Sequence, residues 1–248
     1  MRGQGIMEDK REASAAFGQK TSDGQKRTEA SRDTSGPKKN YQRILEDTIA
    51  RHGAAGEVPS VLLHSCCGPC SSYVLEYLSQ HFALTVFYYN PNIYPEEEYR
   101  LRAREQERFI GEFPARHPVS FIEGDYDTGR FYESVKGLED EPERGARCMK
   151  CYRLRLSETA KLAKERGFDY FTTTLSISPQ KDSQVLNAIG KAVAGEYGVN
   201  YLFSDFKKKN GYLRSTQLAA DYGMYRQNYC GCEFSYRDRA DIILGKKR

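Results

Sequence analysis

Short apolar runs alternate with longer amphipathic stretches along the chain from about residue 41 onward. Five runs rich in Val, Leu, Phe and Tyr predict β-strands, near residues 61–64, 83–89, 119–122, 169–174 and 200–204. Apolar side chains at helical spacing predict the helices between these runs, over about 41–53, 71–81, 96–113, 129 onward, 152–167 and 183–197. This alternation of strand and helix predicts an α/β fold with a mainly parallel five-stranded sheet.

The first apolar run is the most informative, because it leads directly into Ser65-Cys66-Cys67-Gly68-Pro69-Cys70. The glycine and the proline end the strand and place the thiols in a turn before the next helix. Ligands bind at the carboxyl ends of parallel strands, and a helix N-terminus favours a thiolate over a thiol. The pattern therefore predicts that this turn carries chemistry.

The composition fits one folded domain preceded by a polar segment. The chain has 248 residues, of which 39% are hydrophobic and 29% charged, with a net charge of +4. Residues 1–40 contain nine Lys or Arg against six Asp or Glu and few large apolar side chains, so they predict a disordered tail before a single α/β catalytic domain over 41–248. No apolar stretch is long enough to span a membrane and no secretory signal is visible, which predicts a cytoplasmic protein that does not bind membranes.

The seven cysteines fall into three groups, at the predicted loop-to-helix junctions. They are Cys66, Cys67 and Cys70, then Cys148 and Cys151, and then Cys230 and Cys232. Thiols in the cytosol stay reduced, so this grouping favours metal binding or redox catalysis over structural disulfides.

Three kinds of thiol chemistry are compatible with these groups. In the first, Cys66, Cys67, Cys148 and Cys151 hold an iron–sulfur cluster, which needs soft anionic ligands on a rigid frame. In the second, the same residues hold a structural zinc ion, although the remaining thiols fit that poorly. In the third, residues 67–70 form a thioredoxin-type dithiol, against which the absence of Trp and the cysteines elsewhere count.

The last pair of cysteines, in Cys230-Gly231-Cys232, has a different character. A disulfide across one intervening residue closes a very small, strained ring, and strain makes a disulfide easier to reduce. The pair therefore predicts a redox-active dithiol, and the alternative is a pair of metal ligands.

Five motifs occur in order over about residues 57–236. They are Cys66-Cys67-Gly68-Pro69-Cys70, Tyr89-Asn90-Pro91-Asn92-Ile93, Arg147-Cys148-x-x-Cys151, Phe171-Thr172-Thr173-Thr174-Leu175 with Ser178-Pro179, and Tyr225-Arg226-Gln227-x-Tyr229-Cys230-Gly231-Cys232. Together they resemble the epoxyqueuosine reductase QueH family. The order of the motifs makes this resemblance far more specific than a single Cys-x-x-Cys.

The resemblance implies an oxidoreductase of queuosine biosynthesis with a HUP-like three-layer α/β sandwich fold. Its reaction would be the two-electron reduction of epoxyqueuosine to queuosine at the wobble position of tRNA. It implies a [4Fe-4S] cluster on Cys66, Cys67, Cys148 and Cys151 and a redox-active pair at Cys230 and Cys232. It also implies a second metal, an iron ion, beside the cluster, for which the candidate ligands are Cys70 and Asp127.

The partners implied are a tRNA with epoxyqueuosine in its anticodon loop and an unidentified electron donor. Proteins hold unpaired nucleotides by stacking and by phosphate contacts, and Lys181, Arg226 and Tyr229 are the candidate RNA-binding residues. The other functions considered are a thioredoxin-like thiol oxidoreductase without tRNA and a zinc-dependent RNA-binding protein.

Overall fold

Five parallel strands form the sheet in the part of the chain that the computed structural model describes, residues 37–245. They are β1 (Ser60–His64), β2 (Ala83–Tyr88), β3 (Val119–Glu123), β4 (Tyr170–Thr173) and β5 (Asn200–Tyr201). Their order across the sheet is β3-β2-β1-β4-β5, and every neighbouring pair is parallel. The order reverses between β1 and β4, where open α/β sheets bind their ligands at the carboxyl ends of the strands.

Eight α-helices connect and follow these strands within residues 37–245. They are α1 (Tyr41–Ala55), α2 (Gly68–Leu78), α3 (Glu96–Glu112), α4 (Thr128–Val135), α5 (Ala146–Glu165), α6 (Ser183–Tyr197), α7 (Gly211–Asp221) and α8 (Glu233–Ile243). A short 3-10 helix, Thr174–Ile177, follows β4 directly. No helix among these residues has the length and apolar character that crossing a bilayer requires.

The helices cover both faces of the sheet. One face packs against α1, α2, α3 and α7, and the other against α5 and α6, through the buried residues Leu45, Leu75, Phe109, Ala219, Leu156 and Val193. In β1 the side chains of Val61 and Leu63 face the first layer and Leu62 faces the second, so the middle of the strand is apolar on both faces. The predicted three-layer α/β sandwich with a parallel five-stranded sheet is therefore confirmed.

Several element boundaries differ from the sequence pattern. The first helix continues past Gly53 to Ala55 and is capped by Gly56, because Gly56 and not Gly53 adopts the left-handed backbone, with φ of 69°. Helix α2 begins at Gly68 and not near residue 71, because Pro69 is well suited to the first turn of a helix. Strand β5 ends at Tyr201, three residues earlier than the apolar run suggests.

Other differences affect the C-terminal part and the N-terminal prediction. Helices α7 and α8 were not predicted, and α8 has no buried apolar stripe to reveal it, since Tyr236, Ile242 and Ile243 are exposed. The predicted disordered tail lies almost wholly outside the described residues. The division into a tail and a domain stays a prediction.

Two glycines of α6 test how tightly this helix packs on the sheet. A Cβ atom at Gly190 would lie 2.4 Å from the buried Tyr201 ring, whereas one at the exposed Gly195 would meet nothing within 4 Å. We expect Gly190→Ala to lower the free energy of unfolding by roughly 1–3 kcal/mol through overpacking, and Gly195→Ala to raise it by about 0.5–1 kcal/mol through helix propensity. Urea denaturation measures both, and equal effects would contradict the packing described.

Candidate metal centre and redox site

Three thiols meet where β1 ends and α2 begins. Cys67 caps α2, and its sulfur accepts a hydrogen bond from the backbone N–H of Cys70 at 3.3 Å. The sulfur atoms of Cys66, Cys67 and Cys70 all lie within 4.8 Å of one another, and those of Cys66 and Cys67 are 3.9 Å apart. Such a group can hold a metal ion, and we call it the three-thiol group.

The three thiols of this group differ in acidity. Hydrogen bonds from the Cys67 and Cys70 thiols lower the pKa of Cys66 well below its usual value, in spite of its burial. Burial raises the pKa of Cys67 to about 12, and hydrogen bonding to the other two thiols raises the pKa of Cys70. Soft metals bind thiolates, so a metal bound to this group would displace the protons of the Cys67 and Cys70 thiols.

The second cysteine pair lies in the first two turns of α5, not in the loop before it. Cys148 packs in one apolar cluster with Cys66 and Cys67, and its sulfur accepts a hydrogen bond from the Arg144 N–H at 3.2 Å. Cys151 lies one turn further along, and burial raises its pKa to about 12. The structure thus places Cys148 in the same apolar cluster as two members of the three-thiol group.

The third cysteine pair reaches the site from the C-terminal part of the chain. Gly231 has φ of 131°, and its carbonyl accepts a hydrogen bond from the Tyr94 N–H at 2.8 Å. The carbonyl of Cys230 accepts one from Arg102 Nη1 at 3.4 Å. Cys232 is buried in a small cluster that also contains Cys151. All seven cysteines are free thiols.

A cavity of about 370 Å³ opens beside these thiols, and we call it the thiol cavity. Its walls include Cys66, Cys70, Lys181, Arg226, Gln227, Tyr229 and Cys230. The three candidate RNA-binding residues therefore line one space together with thiols from two of the cysteine groups. Gln227 also donates a hydrogen bond from Nε2 to the Cys67 sulfur at 3.0 Å, so the C-terminal segment contacts the three-thiol group directly.

Asp127 lies elsewhere. Its carboxylate caps α4 by accepting a hydrogen bond from the Arg130 N–H at 3.3 Å, and it lines a separate depression with Arg130 and Leu154. No contact among residues 37–245 joins it to the three-thiol group. Its predicted role as a metal ligand has no support from this geometry and stays a prediction.

Buried and partly buried cations lie near the thiols, and three of them have a hydrogen-bond donor without a partner in the described residues. The atoms Arg102 Nη2, Arg147 Nε and Arg155 Nη2 are buried and have no partner in the described part of the chain. Lys181 lines the thiol cavity and forms no ion pair there; burial lowers its pKa, but the Cys230 thiol and other acidic groups raise it above the usual value overall. Buried donors and charges need partners, so these residues fit a bound group that carries negative charge. Thiolate-bound iron–sulfur clusters meet that requirement.

The sequence alone did not single out these arginines. Arg102 belongs to a charged helical stretch with Arg100 and Arg104, which predicts a surface cluster that either binds RNA or is solvated, yet Arg102 is only 1% exposed. Arg147 was quoted only as part of a motif, and Arg155 not at all. Gln227 likewise had no assigned role. Their unusual positions follow from tertiary packing, which a helical periodicity does not report.

Comparison with known proteins decides the family. A family model described as epoxyqueuosine reductase QueH matches residues 61–238, which include all seven cysteines. The chain belongs to the epoxyqueuosine reductase QueH family.

Curated QueH proteins from several bacteria agree with this assignment. The epoxyqueuosine reductase QueH of Streptococcus pyogenes is 44% identical over 211 residues, which cover 84% of this chain and 83% of the relative. That of Staphylococcus epidermidis is 44% identical over 200 residues, covering 79% and 84% respectively. That of Thermotoga maritima is 35% identical over 185 residues, covering 73% and 93%. The prediction that the chain is an oxidoreductase of the QueH family is confirmed.

A buried histidine fixes the strand ends beneath the QueH cysteines. His64 Nε2 donates to the Tyr89 carbonyl at 3.2 Å, and Nδ1 accepts from the Thr173 hydroxyl at 2.9 Å, so one neutral ring joins β1 to β4 and to the residue after β2. Burial, helped by the positive charge of Arg155, lowers the pKa of His64 to about 3. The imidazole is therefore uncharged at neutral pH.

This histidine gives the metal-free protein a defined acid sensitivity. The folded pKa lies below the unfolded value of about 6.5, so the unfolded chain binds the extra proton and stability falls as pH decreases from about 6.5 toward 3. We expect His64→Gln to have a lower free energy of unfolding than the wild type at pH 7. Between pH 7 and pH 5, the free energy of unfolding should fall by about 2 kcal/mol less in the variant than in the wild type. Urea unfolding at both pH values measures this, and parallel pH dependences would disprove it.

Proposed function

We propose that the protein is an epoxyqueuosine reductase, which reduces epoxyqueuosine to queuosine at the wobble position of tRNA. The observation that carries this proposal is that Cys66 and Cys70 of the three-thiol group line one cavity together with Cys230, in a chain of the QueH family, while Cys148 lies in the same apolar cluster as Cys66 and Cys67. The cavity opens beside the switch point of the sheet, where a ligand is expected.

For the cofactor, we propose a [4Fe-4S] cluster held by Cys66, Cys67, Cys148 and Cys151. Support comes from the common apolar cluster of Cys66, Cys67 and Cys148, with Cys151 one helical turn away, and from the partnerless buried arginine donors. Such a cluster supplies electrons one at a time and is held by deprotonated thiols.

For the second metal, an iron ion, we propose Cys70 and Asp127 as ligands. Cys70 is supported because its sulfur belongs to the three-thiol group and also faces the thiol cavity. The contribution of Asp127 rests on the family resemblance alone, since its carboxylate caps α4. A metal at Cys70 would act as a Lewis acid toward an oxygen in the cavity.

The Cys230 and Cys232 thiols are proposed as the immediate source of the electron pair. Removal of the epoxide oxygen as water and formation of the carbon–carbon double bond require two electrons and two protons. Oxidation of the two thiols to a disulfide releases two electrons and two protons, so the reaction balances. The unidentified electron donor would then reduce the disulfide. The position of Cys230 on the cavity wall supports this role.

The tRNA is proposed to bind over the mouth of the thiol cavity through Lys181, Arg226 and Tyr229. Lys181 and Arg226 line the cavity without a carboxylate partner in residues 37–245, so their charges are available for phosphate or another anionic group. Tyr229 packs over Arg102, whose guanidinium carbon lies 5.2 Å from the ring centroid, and its hydroxyl donates to the Tyr94 carbonyl. A ring fixed in this way can serve as a stacking surface for a base.

The activity and the role of the dithiol can be tested together under anaerobic conditions. The substrate is tRNA from cells that lack epoxyqueuosine reductase activity, and mass spectrometry of the digested tRNA follows the loss of one oxygen atom. We expect the wild type to convert the nucleoside. Cys232→Ser should abolish turnover and keep the visible absorption of the cluster, because it removes one thiol of the pair and no proposed cluster ligand.

Ser235→Ala is the matched control, because it removes only the hydroxyl 3.5 Å from the Cys232 sulfur. We expect it to remain active. Full activity of Cys232→Ser would remove the dithiol from the mechanism, and a colourless zinc protein or a metal-free dithiol protein without activity would support the two other functions considered.

Substitution of Cys148 and of Cys70 tests the proposed cluster ligands, because Cys148 is a proposed ligand and Cys70 is not. We expect Cys148→Ser to lose most of its iron and acid-labile sulfide, because it deletes a cluster ligand, whereas Cys70→Ser should keep about four irons and four sulfides per chain. Iron and sulfide analysis of anaerobically purified protein measures both. If Cys70→Ser loses the cluster and Cys148→Ser retains it, the cluster is held by the three-thiol group and the proposed ligand set is wrong.

A further inference from the structure

Arg155 is a buried cation without a carboxylate partner. It lies in α5, one turn after Cys151, and only 2% of its surface is exposed. Its Nε donates to the Cys151 carbonyl at 3.3 Å and Nη1 to Asn90 Oδ1 at 3.5 Å, while Nη2 has no partner in residues 37–245. Arg102 differs, because Glu98 lies 2.7 Å from its Nε and compensates its charge.

The surroundings hold this guanidinium in one place. Asn90 is itself fixed, since its Nδ2 donates to the Ser65 carbonyl at 2.8 Å, directly before the first cysteine. The Arg155 carbon Cζ lies 5.8 Å from the centre of the Tyr152 ring. A buried charge is costly unless a charge of opposite sign lies nearby, and none of these neighbours carries one.

The groups that can carry the opposite charge are thiols. Burial would lower the pKa of the Arg155 guanidinium, but the thiols of Cys151 and Cys66, when ionised, raise it above its usual value. These two cysteines are proposed cluster ligands, one in α5 and one after β1. The guanidinium lies against the backbone of Cys151, and through Asn90 it is linked to the Ser65 carbonyl directly before Cys66, so its charge lies beside the backbone that carries both ligands.

We propose that Arg155 is a positioning residue that sets the reduction potential of the iron–sulfur centre through its fixed positive charge. Each electron that enters a thiolate-bound cluster adds negative charge, and a cation held nearby stabilises the reduced form over the oxidised one. This inference rests on the proposed function, because it needs the cluster on Cys66 and Cys151. It goes further by naming the residue that determines how easily the cluster accepts an electron.

A purely structural role makes a different prediction. If Arg155 only tied α5 to the loop after β2 through Asn90, its loss would lower stability and leave the potential unchanged. The reduction potential therefore separates the two roles, whereas activity does not. Arg153 offers a matched control in the same helix, since it is half exposed and pairs with Glu196 on the surface.

The experiment is a redox titration of the anaerobically reconstituted protein, followed by electron paramagnetic resonance of the reduced cluster. At the potential where the wild type is half reduced, we expect Arg155→Gln to have at least a tenfold lower ratio of reduced to oxidised cluster. For a one-electron couple this corresponds to a shift of about 59 mV toward lower potential. Arg155→Lys, which keeps the charge, and Arg153→Gln should remain close to the wild type.

A second variant tests the charge without removing the arginine. Asn90→Asp places a carboxylate beside the Arg155 guanidinium, and we expect it to lower the potential in the same direction. It keeps the inference testable if Arg155→Gln does not fold. The inference is overturned if Arg155→Gln or Asn90→Asp titrates like the wild type, or if Arg155→Lys shifts as far as Arg155→Gln.

Failure of the proposed function would look different. A wild-type protein that takes up no iron–sulfur cluster on reconstitution would overturn the cofactor proposal and this inference together. A wild type with a normal cluster and unshifted Arg155 variants would overturn only this inference.

Discussion

The site depends on a strand that is buried on both faces and ends at the switch point of a parallel sheet. Such a strand is mainly apolar, and the buried polar side chain of β1 is His64 at its end, whose ring hydrogen-bonds to Thr173 and Tyr89. The candidate thiols lie in the turn after the strand, where Cys67 caps α2. A buried central strand and the start of a packed helix therefore position the three-thiol group.

The charges around this turn explain why the thiols are gathered there. Four cations lie among or beside them, namely Arg102, Arg147, Arg155 and Lys181, and only the first has a carboxylate partner in the described residues. In an ordinary core this excess of positive charge would be costly. It becomes favourable when several thiolates and an anionic cofactor occupy the same space.

The sequence predicted the sheet and the cysteine groups well, because both depend on local patterns. Apolar runs report burial on two faces, and Gly68-Pro69 reports a strand-to-helix turn. The contacts of Arg155 and Gln227 were not predictable, since each joins residues far apart in the chain. Arg155 also belongs to a helix with many charged residues, and such residues are usually solvated. Helix α8 was missed for a related reason: of its large apolar side chains only Phe234 packs partly on a buried cluster, so the helix lacks the periodicity that marks a packed helix.

The partnerless donors also bear on how the site is assembled. Each buried donor without a hydrogen bond costs about 1–3 kcal/mol, and three of them lie on arginines that belong to α3 and to the first half of α5. A bound anionic group would supply these missing partners, and a bound metal would deprotonate thiols whose pKa values burial has raised, as for Cys151. With the proposed cluster, loading of the cofactor would therefore stabilise the packing of α5 against the central strands β1 and β4.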